Sequence, residues 1–178
     1  KEVYSYRKID VRGQKVITPK KSISYALADE KWDYISLQQA SGKSGLFDSY
    51  AEPLPVLYKY VKERATNPNV KYIWHQTWAY AQNSVTGNFD KYDRNQMKMF
   101  DQILSVSKRI GELIPVYKII PTGTAIQNGR TTYLGDNFTR EGYHLDLVFG
   151  RYTAASTWYQ TLFSDLNKVN YIPSYLSA

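Results

Sequence analysis

Residues 70–77 read VKYIWHQT, and the fold turns on them. Val70, Tyr72, Ile73 and Trp74 form a short apolar run between the breaker Asn67-Pro68-Asn69 and the polar Gln76-Thr77. A brief run of that composition is a strand, covered on both faces. Trp32–Gln38 (WDYISLQ) and Pro115–Pro121 (PVYKIIP) have the same character. A helix is expected between each pair. Pro53 and Pro55 suit a first turn, and Val56, Leu57, Tyr60 and Val61 keep helical spacing through Pro55–Ala65. Met97, Phe100, Ile103, Leu104, Val106 and Ile110 stripe a helix over Arg94–Leu113. Further helices are expected over Thr124–Arg130 and Leu147–Leu166. Strands that alternate with helices argue for an α/β layer of parallel strands with right-handed crossovers.

The flanks are less regular. Val3, Ile9, Val11, Val16 and Ile17 surround Arg12-Gly13-Gln14, which reads as a hairpin closed by Pro19. Ser22 is placed to cap a helix over Ile23–Glu30. Gln39–Tyr50, Trp78–Tyr92 and Thr131–His144 read as loops. The expected organisation is one domain over 1–178, with a hairpin excursion at 1–20, an α/β core at 21–166 and a tail at 167–178. Three readable strands are few for this architecture.

Composition narrows the chemistry. At 178 residues the length suits one domain. There is no cysteine, which excludes disulfides, thiolate metal sites and a cysteine nucleophile. With two histidines, His75 and His144, no metal or other cofactor is expected. The net charge of +7 would suggest nucleic acid only if the basic residues clustered, and they are interleaved with acids. No stretch approaches the ~18–20 apolar residues of a membrane span. Neither nucleic acid nor a membrane is therefore an expected partner.

In open α/β sheets, ligands bind beyond the carboxyl ends of the strands. Gln38 and Gln39 end the first strand, His75 and Trp78 follow the second, and Thr124 and Arg130 follow the third. They are candidates for one polar cleft. Glu141-Gly142-Tyr143-His144 is the sharpest local motif. A carboxylate three residues before a histidine can curl back to its Nδ1–H and leave Nε2 free as a base. The plainer alternative is an exposed histidine in a loop before a helix. Gln38 and Gln39 offer neutral amide donors suited to an oxyanion, or else loop caps. His75, ending a strand, reads first as a hydrogen-bonded structural residue and only then as a ligand.

WDYISLQQASGKSG, HQTWAY, IIPTGTAIQNGR and REGYHLDLVFGRYTAASTWY, in that order, resemble a bacterial, Bacteroides-like branch of the SGNH/GDSL-type hydrolases. The resemblance runs from about Trp32 to Phe163. It implies a flavodoxin-like three-layer α/β/α fold with five parallel strands, and hydrolysis of carbohydrate or acetyl esters through an acyl-enzyme without a cofactor. His144 matches the general base, and Glu141 stands at the position of the family's aspartate. Gln38 and Gln39 fall where the family's oxyanion block lies, without its Gly-x-Asn-Asp. His75, Trp78 and Arg130 match positions lining the cleft. No Gly-Asp-Ser follows an N-terminal strand, so the strands correspond to the family's third to fifth. A further ~50–70 residues, enough for two βα units, or a second chain, is expected to complete the sheet and supply the serine. Ser41 and Ser44 lack a strand–Ser–helix elbow. A periplasmic or secreted location follows from the resemblance. The competing expectation is a non-catalytic carbohydrate-binding protein on a degenerate version of this fold.

Overall fold

The computed structural model describes residues 2–164. The chain opens with an antiparallel hairpin of β1 (Tyr4–Ile9) and β2 (Lys15–Lys21). Asp10 organises the turn by accepting the N–H groups of Arg12 and Gln14 at 2.9 and 2.8 Å. Pro19 does not close the hairpin. It lies inside β2, where Tyr4 pairs with Lys21 and Tyr6 with Thr18, so Pro19 and Lys20 form a bulge. A bulge in an edge strand tolerates the missing N–H of proline. Ser22 caps α1 (Ile23–Asp29) through the Tyr25 N–H. Tyr6 and Lys8 then bind Asp29, tying the hairpin to the end of α1.

The central sheet holds β3 (Tyr34–Leu37), β4 (Lys71–His75) and β5 (Lys118–Ile120), all parallel, in the order β3-β4-β5. Each is shorter than its apolar run, because pairing stops where the partner strand ends. Leu37, Trp74 and Ile119 lie in register. They pack with residues of α2 (Asp48–Ala51), α3 (Pro53–Lys62) and α4 (Gln96–Arg109). Asn95 caps α4 through the Lys98 N–H, and a single 3-10 turn at Ile110–Glu112 follows. Side chains alternate across a strand, so Ile73 and Ile120 face the other way, towards α5 (Thr122–Gly129) and α6 (Phe149–Phe163). Helices therefore cover both faces. On its far side β3 pairs with no strand among the described residues.

All three expected loops carry structure: 39–50 holds a 3-10 turn at Ser41–Lys43 and runs into α2 at Asp48. Thr131–His144 contains β6 (Thr139–Arg140), and β7 (His144–Leu145) pairs back onto it. The stretch Trp78–Tyr92 is not a solvated loop. Ala79, Tyr80, Phe89 and Tyr92 are buried against Met99, Phe100 and Ile103 of α4, forming a second core. Residues 165 onward, including the expected tail and the end of the last helix at Leu166, lie outside the described residues. None of the described helices is long and apolar enough to cross a membrane.

Candidate active site

The β6–β7 connection is built for a tight reversal. Glu141 and Gly142 both have positive φ, 47° and 82°, and the Tyr143 N–H donates to the Arg140 carbonyl. Successive left-handed residues at the centre of a four-residue turn make a type I′ turn. The reversal brings Glu141 Oε2 within 3.2 Å of His144 Nδ1. Both side chains are exposed, so the pair stands at the surface. The turn itself is clamped. The Ala81 N–H donates to the Gly142 carbonyl, and Trp78 Nε1–H donates to the Tyr143 carbonyl, each at 2.8 Å. The Tyr143 ring packs on His144 at 4.2 Å and edge-on to Tyr80 at 6.0 Å.

Gln38 and Gln39 part company because consecutive residues of an extended chain point to opposite faces. Gln39 turns towards the α2 side. Its amide nitrogen lies 3.2 Å from Ser49 Oγ and its carbonyl accepts the Ala40 N–H, which removes it from any site near His75. Gln38 turns to the α6 side, where its Oε1 lies 2.6 Å from His75 Nδ1. His75 Nε2 lies 3.0 Å from the hydroxyl of Thr122, at the start of α5. Trp158 of α6 covers the imidazole edge-on at 5.1 Å, and Trp78 lies at 6.3 Å. Burial holds the His75 pKa down at about 4, so the ring is neutral near pH 7. With both nitrogens engaged, His75 is a link between strand ends rather than a free contact for substrate.

Arg130 and Thr124 are also internal. The Arg130 side chain is only 4% exposed and forms an ion pair with Asp136 at 2.7 Å. It also donates to the side-chain carbonyl of Gln127 and the backbone carbonyl of Ala79. Asp136 in turn accepts the Gln82 N–H and the Gln96 amide, so these groups knit the 78–84 stretch to α4 and α5. Thr124 donates to buried Gln76 through both its N–H and its hydroxyl. Both are held by hydrogen bonds within the protein. Ser44 is buried and donates to the Ser41 carbonyl, while the Ser41 hydroxyl pairs with Tyr80. No contact joins either serine to His144 among the described residues.

Several contributors carry weak sequence signals. Asp146 accepts the N–H groups of Val148, Phe149 and Gly150, the free donors at the start of α6; an acid just before a helix is its clue. Gln76 and Thr122 follow the ends of β4 and β5, the same strand-end placement that marks His75 and Thr124, whereas Trp158 on α6 carries no local signal. Among the described residues no three His, Asp or Glu side chains come together as a metal ion would require. The arrangement offers an exposed imidazole paired with a carboxylate, and an exposed Gln38 whose side-chain oxygen lies against His75.

A family model for a domain of unknown function, DUF4886, matches residues 1–178. The chain belongs to the DUF4886 family. A crystal structure of a DUF4886 protein from Bacteroides uniformis ATCC 8492 has a TM-score of 0.91 and 49% identity, covering 97% of this chain and 67% of that one. A protein from Parabacteroides merdae ATCC 43184, described as a putative GDSL-like lipase, has a TM-score of 0.55 at 18% identity. That match covers 74% of this chain and 60% of the other, and it is a likeness of fold. No curated protein matches this DUF4886 chain.

Proposed function

We propose that this DUF4886 protein is a serine-type hydrolase of carbohydrate or acetyl esters, built on the SGNH/GDSL plan. The observation that carries the reading is the Glu141–His144 pair on its clamped turn. Glu141 holds the Nδ1–H tautomer, which leaves the Nε2 lone pair outward as a base. His144 takes the proton of a serine hydroxyl as the serine oxygen attacks the ester carbonyl. The same proton goes to the departing alkoxide as the acyl-enzyme forms. Water then attacks the acyl group, giving its proton to His144, which passes it to the departing serine oxygen, so that serine is restored and a carboxylic acid released. The Gln38 amide N–H is the donor for the developing oxyanion.

The serine is carried by a segment outside the described residues or by a second chain, which also pairs with the free edge of β3. Supporting this are that open edge, the likeness of fold to a GDSL-like lipase, and relatives longer than this chain. The test is hydrolysis of p-nitrophenyl acetate and of acetylated sugars by the full-length protein. General-base removal costs about 10²–10⁴-fold in rate, so His144→Ala should lose at least that, and Glu141→Gln less. Equal rates for His144→Ala and wild type would remove His144 from the chemistry.

A further inference from the structure

We infer that His75 is a positioning residue, whose Nδ1–H turns the Gln38 amide so that its nitrogen, not its oxygen, faces the open end of the sheet. This rests on the hydrolase reading above and deepens it. An amide has two faces of opposite sense: the carbonyl accepts and the nitrogen donates. Only the nitrogen stabilises an oxyanion; the carbonyl oxygen would repel it. Which end faces outward depends on which end is held from behind.

The geometry supplies the hold. Register pairs Leu37 with Trp74, so Gln38 and His75 are the next residues along neighbouring strands, and both project to the α6 side. Gln38 Oε1 to His75 Nδ1 is 2.6 Å. A neutral imidazole has one donor and one acceptor. With Nδ1–H on the Gln38 oxygen, Nε2 accepts the hydroxyl proton of Thr122, which is fully buried. Trp158 and Trp78 keep the ring from rotating away. Gln38 itself is exposed, and its amide nitrogen makes no hydrogen bond among the described residues. The opposite imidazole tautomer would draw the amide nitrogen inward and leave an acceptor facing outward. Trp78 also bonds the carbonyl of Tyr143, next to His144, so the amide and the base are joined through one run of contacts.

The tautomer is read directly from ¹⁵N shifts of His75 in the full-length protein. The Nδ1–H form is expected, and the Nε2–H form would overturn the inference whatever the activity. Kinetics supply the second arm. His75→Phe should lower kcat on p-nitrophenyl acetate about 10²-fold, the effect of losing one oxyanion donor, with KM changed less than about threefold. His75→Asn, which puts an amide donor where Nδ1–H was, should recover most of that loss. In a Gln38→Leu background, His75→Phe should cost nothing further. An unchanged kcat in folded His75→Phe, or full additivity with Gln38→Leu, would sink the positioning role. If His144→Ala also leaves the rate unchanged, the hydrolase reading has failed and takes this inference with it. If His144→Ala abolishes turnover, the failure belongs to His75 alone.

Discussion

Nε1–H of Trp78 donates to the carbonyl oxygen of Tyr143 at 2.8 Å. The bond joins the segment after β4 to the residue beside His144, across 65 positions of sequence. It fixes the height of the turn over the strand ends. Trp78→Phe keeps much of the ring's bulk and removes the donor. Losing such a bond costs about 1 kcal/mol, or roughly 3 °C in thermal midpoint for a domain of this size. On the proposed hydrolase reading, turnover should fall by more than that stability change implies, because His144 loses its register. Paired thermal melts and kcat measurements check this, and an unaltered kcat would separate the clamp from the site.

Gly142 is required twice. Its φ is +82°, and a Cβ there would lie 2.8 Å from the backbone α-carbon of Ser84. Gly135 also has positive φ, +56°, but a Cβ added there would meet nothing within 4 Å. Gly135→Ala should cost about 1 kcal/mol, the left-handed penalty alone. Gly142→Ala adds a steric clash of about 1–3 kcal/mol and should push Glu141 away from His144. Urea denaturation of the two variants side by side tests the difference, and equal midpoints would contradict it.

Period and spacing made some of this legible. The alternation of Tyr34–Leu37 sends Gln38 and Gln39 to opposite faces, a consequence readable from the strand alone. The i, i+3 spacing of Glu141 and His144 likewise foretells their contact. The same cannot be said of Arg130, read from the sequence as a cleft residue after the third strand; its burial shows only with Asp136 and the Ala79 carbonyl around it. Nor do Tyr80, Phe89 and Tyr92 follow a helical or strand period, so their burial against α4 leaves no pattern. Such long-range contacts of irregular backbone have no local signature. What period cannot report is which polar group satisfies which across a loop.

The Arg130–Asp136 pair lends itself to a direct test. The arginine side chain is 4% exposed and the aspartate side chain 34%. Breaking a buried pair by removing one partner leaves the other charge uncompensated, at about 3–5 kcal/mol. Partial exposure of Asp136 places Asp136→Ala somewhat below that range, at about 2–3 kcal/mol. Removing both charges, as Arg130→Met with Asp136→Ala, should cost less than Asp136→Ala alone. Chemical denaturation of the single and double variants reads this out, and a double variant worse than the single would show that the arginine's hydrogen bonds outweigh its charge.

His75 makes stability depend on pH. Burial holds the folded pKa down at about 4, whereas an unfolded histidine titrates near 6.5. Between those values the unfolded chain binds a proton that the folded chain does not, so stability rises with pH over that window. The contribution is complete above about pH 6.5, falls as the pH drops towards 4, and changes no further below that. The full span corresponds to about 3 kcal/mol. Urea midpoints from pH 7.5 to 4 should therefore decline in wild type. In His75→Asn, which cannot titrate, this share of the slope should be missing while the carboxylate-driven loss at lower pH stays. Parallel profiles for the two proteins between pH 6.5 and 4.5 would mean that the imidazole is hydrated enough to protonate normally.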